Sequence, residues 1–316
     1  MQAILDAISG HSFHPASTEA LRLFHGRGHC YEGLEHINVD LLGSVLLITL
    51  YKMETACALT PLVDAARALG IPAVAVQHRY QQNGPVEWLL GEPQTTLIVT
   101  EQGLKFELQL GHSQNLGLFL DMANGRRWVR EQARHRNVLN LFAYTCGFSV
   151  AAMAGGADTV VNLDMSKGAL KRGQRNHQLN DNDSRGVRFL PHELFRSWGK
   201  LKKLGPYELV IIDPPSFQRG SFVASADYQK VLRRLPELLS SEAELLVCLN
   251  DPDIGSQFLI DLMQQHCPAA AFVERLVNPA SFPERDPQSG LKVLRFRYSI
   301  GGNGAKPLEQ LNTEQG

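Results

Sequence analysis

The sequence predicts an α/β protein: a doubly wound sheet of seven strands, preceded by a smaller α+β domain. Three observations predict it. From about residue 138 onward, short apolar runs alternate with stretches of helical length, which is the pattern of βαβ units. The run from Tyr207 to Ile212 stops abruptly at Asp213-Pro214-Pro215, as a buried parallel strand does at its carboxyl end. The last two apolar segments have no helix between them, so one of the final strands must run antiparallel to the rest.

Residues 1–110 form the N-terminal domain, a candidate for substrate recognition. Within it, 43–53 and 73–78 read as strands around a helix near 61–69. Segments 96–100 and 104–110 read as a hairpin turned by Glu101-Gln102-Gly103. The boundary lies within 111–136, with no flexible linker. The second domain covers 111–300. Strands are expected at 138–142, 158–163, 186–190, 209–212, 244–249, 271–277 and 292–300, and helices at 149–154, 167–179, 226–239 and 255–266. Residues 301–316, rich in Gly, Asn, Gln and Glu, read as a loose tail.

Composition narrows the partners. The chain has 31 basic against 32 acidic residues, so any contact with nucleic acid must come from local patches rather than net charge. Arg126, Arg127, Arg130, Arg134 and Arg136 crowd one such stretch; Lys167, Lys171, Arg172 and Arg175 crowd another. A solvated helix face explains either equally well. The 5 cysteines are scattered, without metal-ligand spacing, so neither disulfides nor a metal site is expected. No apolar run is long enough to span a bilayer, and no basic-then-apolar leader is visible. A cytoplasmic protein without membrane contact is expected; oligomeric state is not legible.

The chemistry concentrates at strand ends, where open α/β sheets bind ligands. Asp213-Pro214-Pro215 offers an acid and a stiff loop whose carbonyls stay available as acceptors. Phe217 follows as an aromatic plate. Together they suit a flat heterocycle carrying donors, such as a nucleobase. The first strand of the larger domain runs into Asn140-Leu-Phe-Ala-Tyr-Thr-Cys-Gly147, whose small residues let backbone approach a ligand. GxGxxG is absent, which disfavours a pyrophosphate cradle and so a dinucleotide. Asp164, 24 residues beyond Asn140, ends the second strand, where an acid can accept ribose hydroxyls.

These residues resemble a known family. The Asn140–Gly147 stretch, Asp164-Met165-Ser166, Asn176 with Asn180, and the 213–217 loop are similar to class I methyltransferases that modify large-subunit (23S) ribosomal RNA. Upstream, Leu116-Gly-Leu-Phe-Leu-Asp121 with Arg126-Arg127 resembles the family segment that packs over the cofactor. The resemblance implies a Rossmann-like methyltransferase sheet, S-adenosylmethionine as cofactor and RNA, ribosomal in particular, as partner. It implies that Phe119 and Asp121 lie beside the cofactor. Asn140, Phe142, Tyr144, Thr145 and Gly147 would form its cradle, and Asp164 with Met165 would bind ribose. Asp213 would sit by the methionine amine and the transferred methyl, with Pro214, Pro215 and Phe217 facing the base. Arg126, Arg127 and Lys292 would meet substrate. Three departures stand out: Cys146 replaces a small cradle residue, Met122-Ala123 replaces a polar-then-arginine pair, and Pro191-His192-Glu193 occupies the place of an adenine-binding aspartate. His192 and Glu193 are the candidates to replace it.

The target atom follows from the fifth strand. Methylating cytosine C5 requires a thiolate to add to the ring first, and the family's cytosine enzyme carries that cysteine at this strand's end. Asn250 stands there instead, with Cys248 two residues earlier. An asparagine matches the guanine-N7 type, in which the ring nitrogen already carries a lone pair and needs only positioning. Transfer to a ring nitrogen is the expectation. A cytosine-C5 enzyme, and a degenerate fold that binds RNA or protein without catalysis, are the alternatives.

Overall fold

The computed structural model describes residues 1–182, 184–215, 217–218 and 222–301. The tail expected over 301–316 lies outside them apart from Gly301.

The N-terminal part opens with helix α1 (Gln2–Ser9). It continues with strands β1 (Ala20–His25), β2 (Ile37–Leu42) and β3 (Val45–Leu50), helix α2 (Ala56–Ala68), β4 (Ala73–His78) and β5 (Val86–Leu90). The five strands form one sheet in chain order, antiparallel except for the β3–β4 pair. The strand expected over 43–53 is observed as β3, and β1, β2 and β5 add to the expected pair. Gly43, with φ +61, turns the chain so that Leu42 pairs with Val45. Thr55 caps α2 by accepting from the Ala58 amide. One sheet face, with Val39, Ile48 and Val76, packs under α1 and α2 as a closed apolar core.

A hairpin of β6 (Thr96–Glu101) and β7 (Leu104–Gln109) follows. Its two turn residues, Gln102 and Gly103, have φ of 52 and 80, the paired left-handed geometry of a type I′ turn.

The larger part runs α3 (Ala123–Gln132), β8 (Asn137–Leu141), α4 (Gly147–Ala154), β9 (Thr159–Leu163), α5 (Lys167–Leu179), β10 (Val187–Leu190), α6 (Trp198–Leu204) and β11 (Tyr207–Ile212). It then passes through the short pair β12 (Phe217–Gln218) and β13 (Phe222–Val223), α7 (Ala224–Leu232), β14 (Leu239–Leu249), α8 (Ser256–His266), β15 (Ala270–Leu276) and β16 (Lys292–Ser299). Seven strands form one sheet in the order β10-β9-β8-β11-β14-β16-β15. β16 is antiparallel to both its neighbours, as the missing helix predicts. The helix expected to reach residue 239 ends at Leu232, followed by a 3-10 turn holding Pro236; proline cannot donate within a continuing helix.

The core strands are buried on both faces. In β11, Val210 and Ile212 face one cluster with Leu139, Leu141, Leu245 and Val247, while Leu209 and Ile211 face another with Val138, Leu246 and Trp128. Each such side chain contributes roughly 1.5–3 kcal/mol, enough to fix the strand ends on which the site is built. Among the described residues, no helix is long and apolar enough to cross a membrane.

Candidate active site

The strand order turns back on itself between β8 and β11, and at such a switch point the loops splay apart to leave a crevice. A cavity of about 490 Å³ lies there. Its walls come from the loop after β8 (Phe142, Tyr144, Thr145, Gly147), from Asp164 at the end of β9, from Asp213 to Pro215 after β11, and from Asn250 after β14.

Up to Gly147, which opens α4, the loop after β8 is shaped without glycine. Phe142, Tyr144 and Cys146 have φ of 58, 46 and 63, a conformation costing roughly 1–2 kcal/mol for each side chain. It is held by neighbours. The Cys146 amide donates to the Ala143 carbonyl at 2.7 Å, and the Tyr144 amide donates to Asp164 Oδ2 at 2.8 Å. The second Asp164 oxygen accepts from the Ser166 amide at 2.7 Å. Cys146 is fully buried, and a Cβ on Gly173 would sit 2.4 Å from its sulfur. α5 can approach the loop only because residue 173 is glycine.

A strap over residues 113–119 closes the cavity. Gln77 Nε2 donates to the carbonyls of Ser113 and Gln114, Tyr144 to that of Asn115, Arg172 to that of Leu116, and Thr145 to that of Gly117. Phe119 packs against Tyr144 with ring centroids 5.6 Å apart. The segment from Leu116 to Phe119, expected to pack over the cofactor, is the end of this strap; residues 113–115 extend it.

Two carboxylates, Asp213 and Asp121, line the cavity within electrostatic reach of each other. Burial pushes the Asp213 pKa up to about 7, helped by the negative charge of Asp121 and opposed by Arg126. Burial also raises Asp121, against the charges of Arg22, Arg126 and His25. No cysteine lines this cavity among the described residues. Cys248 is fully buried and its thiol pushed well up, by burial first and by Asp213 and Asp121 beyond that.

Asn140 faces away from the cavity, while His192, Glu193 and Met165 line an annex beside it. Asn140 lies in β8 with 1% exposure, its amide donating to Asn162 Oδ1 at 2.9 Å. That bond starts a buried chain through Ser149 to His177, and burial lowers the His177 pKa to about 4. Asn140 therefore ties strands together instead of lining the cradle. The Glu193 carboxylate accepts from the amides of Phe195 and Arg196 at 2.8 and 3.0 Å, one on each oxygen, and so caps a turn. His192, exposed and 3.1 Å from Lys200 Nζ, lines with Glu193, Met165, Phe142 and Asp164 a small annex of about 20 Å³.

Arg126 is engaged too. Its guanidinium forks onto Glu101 at 2.7 and 2.6 Å and donates to the Phe119 carbonyl at 2.7 Å. It pins the hairpin and strap to α3 and is not an exposed substrate arm. Arg127 is exposed and outside the cavity walls. Lys292 is fully buried and donates to the carbonyls of Asp251 and Gln288. It shapes the loop that carries Asn250, instead of lying at a mouth or on an open strand. Of Phe217, only the backbone in β12 is described.

With this geometry in view, comparison with known proteins decides the family. Residues 21–297 match the family described as S-adenosylmethionine-dependent methyltransferase. The chain belongs to that family. It is 36% identical over 186 residues to the ribosomal RNA large subunit methyltransferase K/L of Shewanella sp. (strain MR-4), covering 56% of this chain and 26% of that protein. It is 26% identical over 269 residues to the ribosomal RNA large subunit methyltransferase I of Shigella boydii serotype 18, covering 80% of this chain and 68% of the relative. The chain thus spans about a quarter of the length of the K/L relatives. Its fold is shared with SMU.776, solved complexed with SAH, at a TM-score of 0.81 and 23% identity over 94% of this chain and 79% of that one. It is shared less closely with aTrm5, solved with tRNALeu, at a TM-score of 0.58 and 14% identity over 83% and 72%.

The methyltransferase cavity fits the family's donor. The loop after β8 lines it with Phe142, Tyr144, Thr145 and Gly147 and is held in shape by its own backbone bonds. Asp164 and Asp213, apart on neighbouring walls, complement a ligand that carries hydroxyls at one end and cationic groups at the other.

Proposed function

We propose that this chain transfers a methyl group from S-adenosylmethionine to a base ring nitrogen of large-subunit ribosomal RNA, guanine N7 being the atom the site suits best. One observation carries the reading: Asp213, Pro214, Pro215 and Asn250 converge on one cavity that no cysteine lines among the described residues. A cytosine-C5 route needs a thiolate within reach of the ring, and the thiol of Cys248 is both sealed and held protonated.

When bound, S-adenosylmethionine supplies an electrophilic methyl on a sulfonium. Asp164 would hold the ribose hydroxyls, Phe142 and Met165 would flank the adenine, and Asp213 would accept from the methionine amine. The carbonyls of Pro214 and Pro215 accept from the edge of the base, and Asn250 fixes its rotation. Transfer breaks the sulfur–methyl bond and forms the N7–methyl bond. Positive charge passes to the purine and no proton leaves it. Asp213 and Asp121 supply negative charge where that cation develops, which is how preorganised electrostatics lowers a barrier. The base must be unpaired to reach the cavity.

The test is methylation of 23S ribosomal RNA from cells lacking this protein, followed by nucleoside mass spectrometry. 7-Methylguanosine is expected. 5-Methylcytidine would overturn the reading. N2-methylguanosine would move the target to the exocyclic amine, with Asp213 as proton acceptor. No methyl transfer despite cofactor binding would favour the non-catalytic alternative.

A further inference from the structure

A second cavity, of about 400 Å³, adjoins the first and shares Phe119, Asp121, Asn250 and Leu291 with it. Its floor is the N-terminal sheet, on the face opposite α1 and α2. That face changes character along its strands. At one end Leu42, Val45, Leu47, Ala73 and Ala75 pack with the hairpin as an apolar core. At the other end the same alternation continues as Asn38, Thr49 and Gln77, which lie side by side in register and are 3%, 6% and 1% exposed. Buried amides and hydroxyls cost free energy unless hydrogen-bonded; Gln77 donates to the strap carbonyls of Ser113 and Gln114, and Asn38 accepts from the Arg27 amide. Here the switch to polar residues coincides with the point where the cavity opens.

The lining carries three arginines, Arg22, Arg27 and Arg79, and three acids, Asp40, Asp121 and Glu284. Arg27 lies over the Tyr51 ring at 4.7 Å from its centroid and Arg79 at 5.4 Å. Arg79 also donates to Asn115 Oδ1 at 3.3 Å. Arg22, by contrast, is committed to Asp40 and stacked on Phe282. The cavity is closed from the other side by the 278–291 segment: the Arg285 amide donates to the Gly28 carbonyl at 2.8 Å, and a Cβ on Gly28 would lie 1.8 Å from the Pro283 carbonyl oxygen. The N-terminal sheet and the methyltransferase sheet thus build the site jointly.

We propose that this second cavity seats the target nucleotide of the RNA, with Asn38, Thr49 and Gln77 beneath the nucleoside and Arg27 and Arg79 gripping its flanking phosphates. The base then enters the cofactor cavity past Asp121 and Asn250. Guanidinium groups match phosphate geometry, and a polar floor suits a ligand whose edges carry donors and acceptors.

This rests on the reading of RNA as substrate, and the test separates the two. Binding of a fluorescein-labelled, guanine-containing single-stranded RNA 12-mer is followed by anisotropy with S-adenosylhomocysteine present, at 50 and 200 mM salt. Cofactor affinity is measured separately by calorimetry. Arg27→Ala and Arg79→Ala are each expected to weaken RNA binding about tenfold or more and to lower the salt slope by about 0.7. Thr49→Val should weaken binding a few-fold with the slope unchanged, and cofactor affinity should hold in all three. Wild-type protein that binds RNA while all three variants bind it equally well would overturn the subsite alone. Wild-type protein that neither binds nor methylates RNA would overturn the substrate reading and the subsite together.

Discussion

Asp213 should make cofactor binding depend on pH. Its pKa stands at about 7 in the free protein, so at pH 6 most molecules carry the proton and at pH 8 few do. A cationic ligand beside the carboxylate stabilises its charged form and draws the pKa back toward the ordinary carboxylate range near 4. Binding then expels a proton wherever the free protein holds one. With a free pKa of about 7 and a bound value below about 5, the Kd for S-adenosylmethionine should rise about tenfold from pH 8 to pH 6. The ligand's own amine, which loses charge near pH 8, works in the opposite sense, so the Asp213→Asn protein provides the reference. Titration calorimetry in two buffers of different ionisation enthalpy measures both the Kd and the protons released. Release near one proton at pH 6, falling toward zero at pH 8 and abolished by Asp213→Asn, is expected. Equal affinity at both pH values in wild-type and variant protein would refute the reasoning.

Other consequences follow from the same contacts. Because the folded pKa of Asp213 is raised, the folded state binds its proton more tightly. Its contribution therefore favours folding at low pH and is lost as pH rises from about 4 through about 7, by at most about 4 kcal/mol; thermal melts of unliganded protein should show this fall, reduced in Asp213→Asn. Replacing Arg126 by Met leaves Glu101 buried and unpaired and should cost about 3–5 kcal/mol in urea unfolding, much of it recovered by adding Glu101→Leu. Gly173→Ala pushes a methyl into Cys146 and should cost about 1–3 kcal/mol, with weaker cofactor binding because the loop after β8 moves. Lys292→Met removes the donor that holds the Asp251 carbonyl; methylation rate should drop at least tenfold while cofactor Kd changes little, as a calorimetric and single-turnover comparison would show.

How much of this was legible in the sequence varies by element. The strands of the larger domain announced themselves because parallel strands are buried on both faces and so read as continuous apolar runs. The N-terminal sheet was harder. β1 and β2 carry Arg22, Asn38 and Asp40 between apolar residues, so local pattern hid them.

By itself the sequence determined the alternation of strands and helices in the larger domain, an antiparallel strand at its end, and the placing of acids and an asparagine at strand ends. Those features depend on local periodicity and on where an apolar run stops. Only the tertiary structure decided which way the side chains there point. Asn140, Glu193, Arg126 and Lys292 occupy the expected positions, yet each is claimed by a partner distant in sequence or by the turn it caps. The second cavity was decided the same way. Its floor and rim come from residues 22 to 79 and its roof from 278 to 291, and no local pattern records that two such segments will face each other.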